Sequence, residues 1–501
     1  MKRVPLAYGS RLAVVETSEN SVVLAPPPPG ETIADVAAAV RDALRFPLAG
    51  QPLEALVPRG GRATIVVEPP ALPIPGATAD PRRTAIAATM TELDRAGAPF
   101  ERQTLLVATG LARRMGHREL ELLVNPEFAR RFHGRVEVHD AESPDLVDLG
   151  VADRRPMRVH RALVEADVVV PVSAAETVLN GGAATLLAAA DARTLRAADA
   201  YSLLETSASG GWKLARELER ALDHRASLIG VSLALSTPSL GGVLHGYPHD
   251  PEAVDRVARF PLRGLFSLLP GAVRRGLLRR LPSEVSTLAV FAGPPSVAHA
   301  EALLRGVDSK SALLDERLDA IFIGVPHTTP YLPREAPNPA TAAYLGLGLA
   351  LRLWRDSFPV VEGGTAILLN RFSRRFPHPT QQPYRALFQA LRTGEGREPE
   401  ELAEAERRAA SDPRAVDAYR SGRSCHPLLP FTEWSACQPA ISRLGVVLVA
   451  GCRDAHAARQ MGFVPTHGIG AALAMAEGRT DHPLRIGYLL SPPYFPLRVS
   501  E

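Results

Sequence analysis

The chain has 501 residues, long enough for two cores rather than one, and 46% hydrophobic with 22% charged residues is an ordinary globular composition. A formal net charge of only +3, with no basic run interleaved with aromatics, argues against nucleic acid as a partner. Arginine carries nearly all the positive charge: Lys2, Lys213 and Lys310 are the lysines, so any lysine-dependent chemistry has three candidate positions.

No apolar run reaches the roughly 18 residues of a membrane span, and the opening MKRVPLAYGSRLAVVETSEN turns polar before a signal-peptide core forms. A cytoplasmic protein without membrane attachment is expected. Cys425, Cys437 and Cys452 are odd in number and lack metal-site spacing, which predicts reduced thiols.

In chain order, residues 11–24 alternate as two strands, and Pro26 to Pro29 with Gly30 form a stiff extended exit. Ile33 to Leu44 has helical spacing. Ala63 to Val67 is a buried strand, and the prolines from Pro69 to Pro75 forbid its continuation. Thr84 to Ala96 reads as a helix, and Gln103 to Ala108 as a strand closed by Thr109-Gly110. A helix around Glu119 to Val124, a strand in RVEVHD and a short helix from Val159 to Glu165 follow. Such alternation predicts a parallel sheet covered on both faces.

The stretch from Ala166 to Leu195 is the most suggestive. A buried strand, Val168 to Val172, breaks into a polar turn with Glu176, Thr177, Asn180, Gly181 and Gly182, and an Ala/Leu helix follows. In an open parallel sheet this turn lies where ligands bind, and a helix start offers N–H groups to an anion. The same pattern also fits a plain strand-to-helix connection.

Further on, SLIGVSLALSTPSLGGVLHGY reads as two strands around a Ser-Thr-Pro-Ser turn. Asp255 to Leu281 carries Arg-studded amphipathic helices, expected to face the core with a solvated basic side rather than lie on a membrane. A second alternating pattern begins near Leu318 with the strand AIFIGV, a Pro-rich loop to Pro339, a helix from Ala340 to Arg355 and the strand AILLN. A charged helix from Glu398 to Ala410, the strand VVLVAG and helices near Ala455 to Met461 and Gly470 to Ala476 complete it. The expectation is an α/β protein of two α/β domains with mostly parallel sheets, residues 1–308 and 309–479, with the strand-like tail 480–501 returning to the first.

Among residues that can carry chemistry, Gly468-Ile469-Gly470 lacks the rest of a dinucleotide fingerprint, and Ser173 and Ser236 lack a nucleophile elbow. Cys425-His426 with His378 suggests a metal or thiolate site, against the plainer reading of a buried thiol beside a surface histidine. Glu68 and Arg113 are better placed, each just past a strand end.

The run APPPPGETIADVAAAVRDAL, the strand leading to LPIP, LLVATG followed by Arg113, the VEADVVV strand and the Gly181-Gly182 turn occur in one order. Together they resemble the nickel-dependent lactate racemase family. The second half resembles a divergent branch of it in GVPHTTPY, NPATAAYLGLG, the FPHP run at Phe376, CHPLLPFTEW and GVVLVAG with MGFVP. The resemblance implies two α/β domains flanking a cleft that holds a covalently attached nickel pincer nucleotide, which takes hydride from a 2-hydroxy acid and returns it to either face.

That chemistry requires a linking lysine, a nickel-ligating histidine, proton-moving histidines and an arginine for the substrate carboxylate. Here the linking-lysine region falls on Ala183-Ala184, the histidine after ATG on Ala112, the metal-ligand histidine near Asp199 and the histidine before the Gly-Gly turn near Val178, while EPPAL from Glu68 replaces a Ser-Asp-His-Thr-Arg run. No nickel-pincer cofactor and no metal site are therefore expected. The expected function is binding of a small carboxylate or other anion in the interdomain cleft, between the Arg113 loop and the loop carrying His327. Arg113 and His327 are the candidate catalytic residues. The substrate-binding set is Glu68, Thr109, Arg113, Asn180, Gly181, Gly182, His327, His378, His426 and Trp434. The rival reading is an active 2-hydroxy acid racemase, epimerase or related isomerase using a cofactor in the cleft, and non-covalent cofactor binding is the third.

Overall fold

Continuous runs of Val, Ile and Leu, with no polar alternation, form strands only where both faces of a sheet are covered. The computed structural model, which describes residues 2–500 except 71, 73–79, 122, 125, 153–154, 328–337, 375, 377 and 394–398, places these runs in two mainly parallel sheets.

The first has the order Thr287–Gly293, Gly230–Leu235, Val168–Ala174, Ala63–Val67, Gln103–Val107, Arg135–Val138, and the first of these is antiparallel to its neighbour. Ser227–Leu228 adds a short pairing to Val168–Val169. Successive side chains point to opposite faces. Ile65 and Val67 accordingly pack into one core and Val66 between them into another.

The second sheet is parallel throughout, in the order Val464–Thr466, Val446–Ala450, Val360–Leu369, Leu318–Gly324, Ile486–Leu489, Ser21–Leu24. Ile321 and Ile323 face one core, Ala320 and Phe322 the other. The α/β class with mostly parallel sheets is thus as expected.

The chain ends depart from expectation. Ile486–Leu489 lies inside the second sheet rather than returning to the first, and Ser21–Leu24 from the N-terminus forms that sheet's edge. The hairpin of Arg3–Tyr8 and Arg11–Glu16 buries Val4, Leu6 and Val15 in the same core as Phe322 and Tyr488. Parallel pairing leaves a strand's neighbours free to come from anywhere in the chain, so sequence order did not reveal this.

Three local readings also change. The strands around Ser236 to Ser239 do not pair with each other: Gly230–Leu235 joins the first sheet, while Ser239–Leu240 pairs with Ser283–Glu284. The helix expected from Ala340 to Arg355 is an α-turn at Pro339–Ala343, a π-helical segment at Tyr344–Leu349 and a 3-10 turn at Ala350–Arg352, before Trp354–Arg355 pairs with Leu497–Arg498. Between residues 255 and 281, Val257 and Ala258 of the helix Pro251–Ala258 are buried as expected, but beyond it Leu262, Leu265, Leu268, Val273 and Leu277 are exposed while Arg274 is buried, the reverse of a core-facing apolar side. No helix among the described residues is long and apolar enough to cross a membrane.

Candidate functional site

A cavity of about 390 Å³ lies between the halves. The first half contributes Glu68, directly after Ala63–Val67, Thr109 to Ala112 after Gln103–Val107, and Asn180 with Ala184 after Val168–Ala174. All three groups follow the carboxyl ends of parallel strands, the position where open α/β sheets bind ligands. The second half closes the cavity with Tyr344 and Arg352 from the π and 3-10 turns and with Glu433 from the helix Leu429–Ile441.

Glu68 is buried and accepts hydrogen bonds from Thr185 Oγ1 at 2.7 Å and Asn180 Nδ2 at 3.2 Å. Desolvation raises its pKa above the usual carboxylate value, against the lowering effect of those bonds and of the Arg82 charge. Glu433 accepts from the Tyr384 hydroxyl at 2.8 Å through Oε2, while its buried Oε1 has no partner. Burial holds its pKa up to about 8, so at neutral pH it is mainly a carboxylic acid. Thr109 Oγ1 is likewise buried without a partner.

Arg352 is only 3% exposed. Its guanidinium donates to the carbonyls of Gly348 at 3.2 Å, Tyr201 at 3.4 Å and Ala200, and no carboxylate of the described residues forms an ion pair with it. The Asp199 charge on the same wall acts on it only at longer range than an ion pair, and a buried cation held by carbonyl dipoles favours an anion beside it. Arg196, also on the wall, is already paired bidentately with Glu406 at 2.6 and 3.0 Å.

The substrate set expected from sequence is divided. Glu68, Thr109 and Asn180 line this cavity. Arg113 does not: its guanidinium pairs with Glu119, six residues on, because the chain turns back at Gly116 where Glu119 also caps the backbone N–H. His327 and His378 line a separate groove of the second half, so no loop brings His327 opposite Arg113. Thr328 and Thr329 lie outside the described residues. His426 is buried against Glu142 at 3.1 Å and edge-on to Tyr419. Trp434 packs on Phe463. The grouping of Cys425, His426 and His378 is not a metal or thiolate site: desolvation keeps the Cys425 thiol protonated, and no cluster of three metal-ligating side chains occurs among the described residues.

Gly181 and Gly182 have a packing role. Both have positive φ, and a Cβ would come within 2.0 Å and 2.4 Å of His299, which bonds the Thr177 carbonyl through Nε2 at 2.9 Å. The following helix, Ala183–Leu187, is too short to act as an anion site by its dipole.

Ala112, Ala184 and Asp199, the positions that the resemblance aligns with cofactor chemistry, all reach the cavity wall. None supplies an amine for a covalent link or an imidazole for a metal, and no histidine lines the cavity. Lys310 is buried in a different pocket beside Glu176, and the exposed Lys213 does not reach the wall. The residues present do not fit a covalent nickel pincer nucleotide.

Sequence reasoning missed Arg352 and Glu433. The available signal was a lone charge in an apolar run: Arg352 is the one ionic group between Ala340 and Trp354, and Glu433 interrupts PLLPFTEW.

Residues 8–183 match the family model for the lactate racemase N-terminal domain. The structure of the lactate racemase apoprotein from Thermoanaerobacterium thermosaccharolyticum is similar with a TM-score of 0.61 at 13% identity, covering 100% of both chains. The structure of a protein from Thermotoga maritima aligns with a TM-score of 0.45 at 12% identity, over 94% of this chain and 100% of that one. No curated protein sequence matches the chain. Residues 8–183 are thus similar to the lactate racemase N-terminal domain, inside a fold that the whole chain shares with the lactate racemase apoprotein.

Proposed function

We propose that this divergent lactate-racemase-like protein binds a small carboxylate in the interdomain cavity without nickel-pincer chemistry. The observation that carries the reading is Arg352, a buried guanidinium on the cavity wall with no ion-pair partner among the described residues. Protonated Glu433, on the wall of the same cavity, donates a hydrogen bond to a carboxylate instead of repelling it, and Thr109 adds a second donor. Arg352 thus takes the place expected for Arg113. The free state of all three cysteines supports a reducing, cytoplasmic setting.

Titration calorimetry with lactate, glycolate and glycerate, and with the matching amides, tests this. A carboxylate should bind, its amide should not, and Arg352→Gln should weaken binding by at least about thirtyfold, the equivalent of about 2 kcal/mol. Unchanged affinity in a folded Arg352→Gln protein overturns the assignment.

Glu68 and Glu433 support a second reading. They reach the cavity from opposite halves, both with raised pKa values, as a proton acceptor and donor must for exchange at the α-carbon of a bound acid. One carboxylate takes the α-proton and the other acid returns one to the opposite face, with no change of oxidation state. Incorporation of solvent deuterium at the α-carbon, lost in Glu433→Gln, is the expected signature; binding without exchange leaves the protein a binder.

A further inference from the structure

A second cavity, of about 1580 Å³, opens in the other half of the molecule at the carboxyl ends of three adjacent parallel strands. His327 follows Leu318–Gly324, Arg371 follows Val360–Leu369, and Arg453 follows Val446–Ala450. This is the end of an α/β sheet at which ligands bind. Its described lining holds eight arginines and one carboxylate, Asp454, which Arg374 already engages at 2.5 Å. Those arginines converge from distant segments: Arg11 from the N-terminal hairpin, Arg274 from Gly271–Arg279, Arg385 from Gln382–Thr393, and Arg371 and Arg453 from strand ends.

The chain as a whole is only +3, so this concentration does not follow from general basicity. Burial and the neighbouring charges of Arg11, Arg371 and Arg275 lower the pKa of Arg274, which marks a concentration of like charge among the described residues of the groove. Arg11 Nε and both amide atoms of Gln460 are buried on the lining without protein partners. Tyr8 is fixed at the rim by a 2.7 Å bond from its hydroxyl to the Gly451 carbonyl, with the Arg371 guanidinium 5.5 Å over its ring.

We propose that this groove binds a small molecule carrying two or more phosphate groups, of the nucleoside di- or triphosphate class. A monocarboxylate engages one guanidinium fork, whereas arginines arriving from five segments match several anionic groups in series. The volume exceeds that of ordinary small-molecule pockets, roughly 300–1,000 Å³, so a nucleoside fits as well as its phosphates. Tyr8, Phe376 and Phe388 offer ring surfaces for a base.

Calorimetry on the full chain at near-physiological salt, with inorganic tripolyphosphate, ATP and orthophosphate as probes, decides the matter. Tripolyphosphate and ATP should each bind at one site, with orthophosphate at least about a hundredfold weaker. Equal affinity for the first two means recognition of the phosphate chain alone, and tighter ATP binding means that the aromatic wall is used. Arg453→Ala should weaken both by about tenfold, and Arg371→Ala by more, while Arg225→Ala, exposed in the first half, should not matter. If Arg371→Ala fails to fold because Tyr8 loses its support, the exposed Arg453→Ala carries the result. The proposal is overturned if neither polyphosphate binds, if Arg225→Ala weakens binding equally, or if a short single-stranded oligonucleotide binds more tightly than tripolyphosphate. Arg352→Gln should leave polyphosphate binding unchanged, which separates this groove from the carboxylate cavity.

Discussion

At the scale of single residues, burial without charge compensation sets the chemistry. Glu433, with a pKa near 8 in the folded protein against about 4.5 when solvated, binds its proton more tightly in the folded state. Stability from this group is therefore full below about pH 4.5 and is lost as pH rises towards 8, at up to about 1.4 kcal/mol per unit. His139 and His299 act in the opposite sense. Desolvation holds both near 4, so their contribution is full above 6.5 and is lost as pH falls towards 4. Between pH 6.5 and 8 the histidines no longer titrate, and thermal unfolding should show a falling midpoint in the wild type that flattens in Glu433→Gln, which keeps an acceptor for Tyr384. A slope unchanged by that substitution would mean Glu433 is ionised throughout. The cysteines give a second check. Cys425 and Cys437 are buried, with thiols kept protonated by desolvation, whereas Cys452 is partly exposed. Iodoacetamide should label the folded protein at Cys452 first and reach the other two only after unfolding.

At the scale of elements, the glycine pair shows how one turn serves two neighbours. The connection from Val168–Ala174 into Ala183–Leu187 must pass under His299 of the helix Pro295–Lys310, and only a chain without Cβ atoms fits there in the left-handed region. Gly181→Ala should cost roughly 3 kcal/mol from overpacking against the His299 ring and backbone strain together. Combining it with His299→Ala should recover part of that loss, because the ring that the new Cβ meets is removed while the strain at φ +110° remains. Chemical denaturation of the two single variants and the double variant measures this coupling, and strict additivity would show that the ring is not the obstacle. The π-helical segment Tyr344–Leu349 is the second such element. Gly348 packs where a Cβ would meet the Tyr344 ring at 2.6 Å, and its carbonyl holds Arg352, so the irregular turn aims the cavity's cation.

At the scale of the whole molecule, a fold similar to that of the lactate racemase apoprotein encloses a cavity whose wall carries Glu68, Arg352 and Glu433 and, among the described residues, no lysine or histidine. Protein purified from its own host should have the intact mass of the bare chain and no stoichiometric nickel, because Ala184 occupies the wall where a linking amine is needed. A nucleotide adduct mapped to Lys213 or Lys310 would contradict this. The sequence by itself determined the α/β class, because unbroken apolar runs such as VVVPV and ATIVV can be strands only inside covered parallel sheets. It also determined that Ala112, Ala184 and Asp199 offer no amine for a covalent link and no imidazole, since covalent capability is a property of residue type. Its order of elements located Glu68, Thr109 and Asn180 beyond strand ends, and all three reach the cavity. Only the tertiary structure decided which charges face one another. Arg113 is satisfied by a carboxylate six residues away, a local contact that spacing alone does not distinguish from a ligand site. The burial of Arg352 involves Ala200, 152 residues away in sequence, and that of Glu433 involves Tyr384, while the arginines of the second groove are gathered from segments as distant as Arg11 and Arg453. Residue identity is local, but desolvation and the position of a counter-charge are fixed by packing, and these determine what a buried ionic group does.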